Sequence, residues 1–97
     1  MSLTADDVKK VIKDNEIEIR KLGVKEIYLF GSVVRGEAKE SSDVDFFVVF
    51  GPEGSDFFTL YDLEQFLQLK LNRKVDLGTK LHPLLRDQIM REALRVA

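Results

Sequence analysis

The chain of 97 residues contains no cysteine and no tryptophan, only one histidine and two prolines. The absence of cysteine excludes disulfide bonds and thiolate metal sites, and it is consistent with a reducing cytoplasm. The single histidine, His82, precedes Pro83 at a predicted helix start, where a surface or capping role is expected. No Ser-His-Asp or Cys-His nucleophile system can therefore be assembled convincingly from this sequence.

Long apolar runs are also missing. No segment approaches the roughly 20 apolar residues that a membrane span requires, and the N-terminus lacks the apolar stretch of a signal peptide. Lysine and arginine number 15 against 17 acidic residues, which gives a formal net charge of −2 and no general electrostatic hold on nucleic acid. These features predict a cytoplasmic protein, residues 1–97 forming one domain, with no membrane contact and no direct nucleic-acid binding.

Helical and extended patterns alternate along the chain. The capping-box pair Thr4 and Asp7 predicts a helix start, and helical spacing continues to a stop at Gly23. The later predicted elements are strand 25–30, a short helix 32–35, strand 44–50, helix 56–71, strand 74–78 and a helix from His82 that buries Leu85, Ile89, Ala93 and Val96. Strand 44–50 is apolar on both faces, which is typical of a central strand covered on both sides. This order predicts a small α/β or α+β domain with about three strands, in parallel or mixed pairing.

Residues that could take part in catalysis or binding lie between the first two predicted strands. Gly31 and Ser32 follow an apolar strand, where a missing Cβ lets the backbone approach a phosphate and a hydroxyl can donate to it. Asp43 and Asp45 stand at i and i+2 at the next strand, so their carboxylates point to one face. A metal cation would give both a partner, but such a pair also arises by chance in a solvated turn. From the pair alone, both interpretations stay open.

Two more charged residues extend the pattern. Asp76 lies between apolar residues of the third predicted strand, where it could simply face water at a sheet edge. If that strand lies beside 44–50, three carboxylates converge, an arrangement that suits two divalent ions clamping the oxygens of an in-line displacement. Arg35, one turn after Ser32, could reach a phosphate or pair with one of the two earlier aspartates.

The combined motif is Gly31-Ser32-x-x-Arg35-Gly36, then Ser42-Asp43-x-Asp45, then a strand aspartate at Asp76. It resembles the DNA polymerase β superfamily of nucleotidyltransferases. Within that superfamily, the compact chain resembles the minimal nucleotidyltransferases, which are often encoded beside a HEPN-domain partner. The resemblance covers about residues 25 to 95, and it departs conservatively at Val34, where these proteins often have alanine.

The resemblance implies a nucleotidyltransferase fold, a short mixed sheet of about three strands flanked by helices. It also implies roles for individual residues: Gly31 and Ser32 would hold the triphosphate of ATP, with Arg35 as a phosphate-side or structural supporter. The implied ligands of Mg²⁺, two ions in all, are Asp43, Asp45 and Asp76. In addition, Asp76 would orient or deprotonate the attacking hydroxyl.

Family members of this size pair with HEPN toxins as antitoxins, and some transfer AMP from ATP to a tyrosine of the toxin. The resemblance therefore implies Mg²⁺-dependent transfer of AMP to a hydroxyl of a HEPN-domain partner. With 97 residues there is no room for an acceptor-recognition domain, which favours a protein acceptor held in a complex. Two alternatives stay open: a non-catalytic antitoxin that acts by occlusion, and the catalytic subunit of a small-molecule nucleotidyltransferase.

Overall fold

The computed structural model describes residues 3–37, 39, 42–52, 57–79 and 91–97. Its elements are α1 (Ala5–Asp14), α2 (Glu16–Lys21), β1 (Val24–Phe30), β2 (Val44–Phe50), α3 (Phe57–Leu71), β3 (Val75–Gly78) and β4 (Leu94–Arg95). The four strands form one sheet in the order β3-β2-β1-β4. Strand β1 is antiparallel to β2 and β4, whereas β2 and β3 are parallel, so the predicted mixed α/β fold is confirmed. None of the helices in these ranges is long and apolar enough to cross a membrane.

The first helix begins at the predicted capping box. The Asp7 amide donates to Thr4 Oγ1 over 3.1 Å, and the Thr4 amide donates to Asp7 Oδ2 over 3.0 Å. The predicted single helix to residue 22 is wrong, because the chain leaves the helix at Asn15 and starts again as α2. Asn15 Nδ2 donates to the Val11 carbonyl over 2.8 Å, a side-chain bond that competes with the regular helix ladder.

Helices α1, α2 and α3 bury their apolar residues against the same face of the sheet. The fully or almost fully buried residues include Val8 and Ile12 of α1, Ile19 of α2, Leu63 and Leu67 of α3, and alternate residues of the strands: Ile27, Leu29, Val44, Phe46, Val48 and Val75. Strand β2 is central, as predicted, but only one of its faces is buried. Its other face, with Asp45, Phe47 and Val49, stays half-buried, so the prediction of cover on both sides is wrong for this strand.

A short connection links α3 to β3 and sets where β3 begins. The helix ends before Asn72, which takes a left-handed φ of +53°. Gln68, on the last turn of α3, accepts a hydrogen bond from the Val75 amide through Oε1 at 3.2 Å. On the other side of the strand start, the Val44 amide donates to the Lys74 carbonyl over 2.9 Å. These bonds, made by Val75 and by Lys74 just before it, tie the start of β3 to both the helix and β2.

Two further predictions need correction. Residues 32–35 form turns rather than a short helix, closed by hydrogen bonds from the Arg35 amide to the Gly31 carbonyl and from the Glu37 amide to the Ser32 carbonyl. The predicted final helix does not extend to Val96, because residues 94–95 form β4 against β1. The parts of that prediction that concern His82, Leu85 and Ile89 lie outside the described residues.

Candidate active site

The Gly31-Ser32 turn lies at the end of β1, beside the start of β2. Its closing hydrogen bonds use the carbonyls of Gly31, Ser32 and Val33 as acceptors. Among the hydrogen bonds between described residues, that of the Arg35 amide is the first in this turn, so the amides of residues 32–34 occupy the position of the free N–H groups in a helix's first turn. Such N–H groups are suited to an anion, which agrees with the predicted phosphate role of the turn.

Gly31 also lies directly against Asp45 of β2. Its φ is +84°, a left-handed conformation that side chains with a Cβ rarely adopt. A Cβ built on Gly31 would lie 2.5 Å from Asp45 Oδ2, closer than two such atoms approach. The space that a Cβ would fill is therefore taken up by the carboxylate, and the turn and Asp45 form one continuous site.

The strand register brings the predicted carboxylates to one face. Asp45 of β2 lies opposite Asp76 of β3 in the parallel pairing, and in-register neighbours of a sheet point to the same side. Asp43 precedes Asp45 by two residues and continues the same alternation. Asp43 and Asp76 are exposed and Asp45 is half-buried, so the cluster opens to solvent on the face of the sheet opposite α1, α2 and α3.

The electrostatics of Asp45 reflect this crowding. Partial burial raises the pKa of the Asp45 carboxyl, and the negative charges of Asp76 and then Asp43 raise it further. The positive charge of Arg35 lowers the pKa by a smaller amount. In the folded chain without a bound cation, the ionised form of Asp45 is thus disfavoured. A cation bound between the carboxylates would remove the free-energy cost of ionising it.

A pH dependence of stability follows from the raised pKa of Asp45. Because the folded state holds this proton more tightly than the unfolded chain, the free energy of unfolding falls as pH rises through the window between the ordinary and the raised value. Without divalent cations, we expect Asp45→Asn to be more stable than the unsubstituted chain at pH 7 and equally stable at acid pH. Urea unfolding across a pH series measures this difference. The control Asp62→Asn, on exposed α3 surface, should parallel the unsubstituted chain at every pH.

Arg35 takes a different partner from the one considered from sequence. Its Nε lies 3.1 Å from Glu37 Oε2 and its Nη1 lies 3.4 Å from Glu92 Oε2, so it pairs with these two glutamates and with neither aspartate. These glutamates, Glu37 first, also raise the pKa of the guanidinium. Both pairs are solvent-exposed and contribute little stability, which leaves Arg35 able to exchange them for a phosphate. Sequence reasoning missed Glu92 because it lies 57 positions away.

The side chains suit a hard divalent cation but do not already enclose one. Within the described ranges, no three acidic or histidine side chains are placed around a common ion position. Oxygen-only donors are the ligands that Mg²⁺ prefers, and the three aspartates offer nothing else. A bound cation would offset the crowding of negative charge that raises the pKa of Asp45. The donor set therefore fits Mg²⁺.

Comparison with known proteins decides the family. The model of the nucleotidyltransferase domain family matches residues 8–96, nearly the whole chain. The chain belongs to the nucleotidyltransferase domain family. A relative, the protein adenylyltransferase MntA of Thermococcus cleftensis, is 42% identical over 79 residues, which cover 80% of this chain and 79% of MntA. A Methanocaldococcus jannaschii protein classed as a candidate protein adenylyltransferase is 45% identical over 78 residues, which cover 78% of this chain and 83% of the relative.

Solved structures agree with this assignment. A candidate minimal nucleotidyltransferase superposes with a TM-score of 0.72 at 30% identity, covering 89% of this chain and 93% of that one. A toxin–antitoxin crystal structure with AMP-PNP gives a TM-score of 0.65 at 28% identity, covering 86% and 73%. The fold alone is shared with a Shewanella oneidensis complex of a tri-AMPylated HEPN toxin and its MNT antitoxin, at 22% identity, TM-score 0.63 and coverage of 92% and 71%. The resemblance to minimal nucleotidyltransferases predicted from the motif is confirmed.

Proposed function

We propose that this nucleotidyltransferase transfers AMP from ATP to a tyrosine hydroxyl of a HEPN-domain partner in the cytoplasm, and so acts as an antitoxin. The observation that carries the proposal is the parallel register of Asp45 and Asp76 beside the Gly31-Ser32 turn. That register supplies carboxylates for metal-assisted phosphoryl chemistry next to amides suited to a triphosphate. Relatives named protein adenylyltransferases and a toxin–antitoxin neighbour with AMP-PNP support the same reaction.

In this reaction, Asp43, Asp45 and Asp76 would hold Mg²⁺, which would supply positive charge to the phosphates when bound. Gly31 and Ser32 hold the triphosphate through turn amides and the serine hydroxyl. The acceptor oxygen forms a bond to the α-phosphorus of ATP, and the bond from that phosphorus to the bridging α–β oxygen breaks. Pyrophosphate leaves with that electron pair, and the hydroxyl proton passes to the Asp76 carboxylate.

A protein acceptor is favoured by the size and charge of the chain. The formal net charge of −2 gives no general attraction for nucleic acid, and the carboxylate cluster repels its backbone. The family domain matches residues 8–96, and a hydroxyl presented by a bound protein partner would reach its site directly. The proposal therefore treats residues 1–97 as one catalytic domain that works inside a complex.

The decisive experiment isolates this chain from its native host, identifies the protein that co-purifies with it and tests whether that protein has a HEPN domain. Incubating the complex with ATP and Mg²⁺ is expected to raise the mass of the partner by one or more adenylyl units. Asp76→Asn should prevent this increase without preventing complex formation, because Asp76 is exposed and supports no core packing. Intact-protein mass spectrometry and size-exclusion chromatography measure the two properties, and Asp62→Asn is the matched control.

An unchanged partner mass would contradict the proposal. If the unsubstituted chain and Asp76→Asn then suppressed the partner's toxicity equally, occlusion by a catalytically silent chain would be the correct account. If labelled AMP appeared instead on a small molecule, the chain would be the catalytic subunit of a small-molecule nucleotidyltransferase. Each of these results excludes transfer to the protein partner.

A further inference from the structure

The sheet face that carries the carboxylates is the face without helices in the described part of the chain. On β1 and β2, the side chains that alternate with the buried core are only half-buried. They include Tyr28 and Phe30 of β1 and Phe47 and Val49 of β2. An apolar, aromatic surface thus begins immediately beside Asp45. The proposed chemistry uses none of these four side chains.

The register of all four strands aligns this surface with the site. One cross-sheet row consists of Arg95, Tyr28, Phe47 and Gly78, on β4, β1, β2 and β3. The adjacent row consists of Phe30, Asp45 and Asp76. The rings of Tyr28 and Phe47 lie 6.3 Å apart between centroids and are tilted by 38°, within the distance range of interacting aromatic pairs. We call this pair the aromatic platform.

Gly78 leaves a gap at the end of the platform. Among the described residues, a Cβ built there would meet only the Phe46 carbonyl oxygen, at an ordinary contact distance of 3.9 Å, and Gly78 itself stays partly exposed. Gly78 follows Asp76 by two residues on the same face, a distance of about 6.6 Å along the strand. A flat ring resting over Gly78, against the side of Phe47, would direct a substituent on its far end towards Asp76.

In-line displacement places the acceptor on the β3 side of the candidate site. The predicted phosphate turn follows β1, Asp76 lies on β3, and Asp45 lies on β2 between them. With pyrophosphate held at the Gly31-Ser32 turn, the attacking oxygen must approach the α-phosphorus from the opposite direction. That direction is the β3 side, where Asp76 and the Gly78 gap lie. The nucleotide donor and the acceptor are thus separated across β2.

We infer that the aromatic platform and Gly78 dock the acceptor side chain as an aromatic ring, with its hydroxyl at Asp76. The inference rests on the proposed function and makes Tyr28, Phe47 and Gly78 positioning residues for acceptor choice. Ring contacts favour a phenol over an aliphatic hydroxyl. The neighbouring carboxylates disfavour any anionic acceptor group. The chain therefore selects tyrosine over serine or threonine.

The inference can be tested on the full-length chain by amide NMR, with N-acetyl-tyrosinamide as the probe. Addition of the probe is expected to shift the amides of residues 28, 47 and 76–78. Gly78→Val fills the gap with a side chain that suits a strand, and we expect it to weaken probe affinity by about tenfold or more. Gly78→Ala should give a smaller loss. The matched control is Tyr61→Ala, an exposed aromatic on α3, which should leave probe affinity unchanged.

The donor half of the site provides a second readout. Titration with ATP and Mg²⁺ should shift the amides of residues 31–33 in the unsubstituted chain and equally in Gly78→Val. In the partner transfer assay, Gly78→Val should raise KM for the acceptor about tenfold and leave KM for ATP unchanged. Circular dichroism of each variant confirms that the sheet is intact.

Three results would overturn the inference. The probe could shift amides around Tyr61 instead of the platform, Gly78→Val could leave probe affinity and acceptor KM unchanged, or ATP alone could shift residues 47 and 78. The last result would assign the platform to adenine. Each of these leaves adenylyl transfer intact, whereas failure of the unsubstituted chain to modify any partner would reject the proposed function itself.

Discussion

Replacing Asp45 by asparagine is expected to reduce adenylyl transfer by at least about a hundredfold, because it removes the carboxylate at the centre of the cluster. Asp45 lies beside Asp76 in the register and contacts the Gly31 turn, so no neighbour can take its place. Calorimetry should also show weaker binding of ATP in the presence of Mg²⁺. Asp43→Asn should act in the same direction, because Asp43 shares the face.

Asp62→Asn is the matched control for these substitutions. It removes one negative charge from the exposed surface of α3 and leaves the cluster untouched, so transfer should be unchanged. Equal binding of MgATP by the unsubstituted chain and Asp45→Asn would show that the carboxylates do not bind metal. Loss of structure in Asp45→Asn is not expected, since the substitution relieves repulsion from Asp76 and Asp43.

Gly31→Ala is expected to abolish most of the transfer activity, and Gly36→Ala provides an unusually close control. Both glycines have a left-handed φ, +84° and +72°, so both substitutions carry a backbone strain of about 1–2 kcal/mol. Among the described residues, the new Cβ at Gly31 meets Asp45 Oδ2 at 2.5 Å, whereas none lies within 4 Å of the new Cβ at Gly36. The difference between the two variants therefore isolates displacement of the Asp45 carboxylate.

Urea unfolding should show comparable losses of stability for the two alanine variants. Transfer assays should separate them, with a much larger loss for Gly31→Ala. Gly31→Val, with a branched Cβ, should be worse still. If Gly31→Ala and Gly36→Ala lost activity equally, strain alone would explain the effect. The glycine would then have no specific role beside the carboxylate.

Local patterns predicted the elements that local interactions determine. The capping box, the first two strands and α3 all follow from neighbouring residues, and the structure confirms them within one or two residues. The break at Asn15 was missed because helical periodicity continues on both sides of it, while one side-chain bond to the Val11 carbonyl interrupts the ladder. Strand β4 was missed because two residues paired with a strand more than 60 positions away leave no local signal.

The candidate site also combines residues that local sequence indicates with residues that only the complete sheet brings together. The Gly31-Ser32 turn and the spacing of Asp43 and Asp45 are local, so a motif could indicate them. The position of Asp76 depends on which strand β3 joins and in which direction, which only the complete sheet determines. The direct approach of Asp45 to Gly31 is likewise a contact between separate strands, and it adds a reason for the glycine that phosphate binding did not provide.

The bonds that tie the start of β3 to α3 and β2 have a consequence for how β3 could misalign with β2. Gln68 and the Lys74 carbonyl hold one alignment of β3 with β2, the alignment in which Asp76 lies beside Asp45. A slip of one residue would turn every side chain of β3 to the opposite face and send Asp76 towards the apolar core. Such a slip has no intermediate position. The placement of Asp76 and Asp45 on one face of the sheet therefore depends on this single register of β3 with β2.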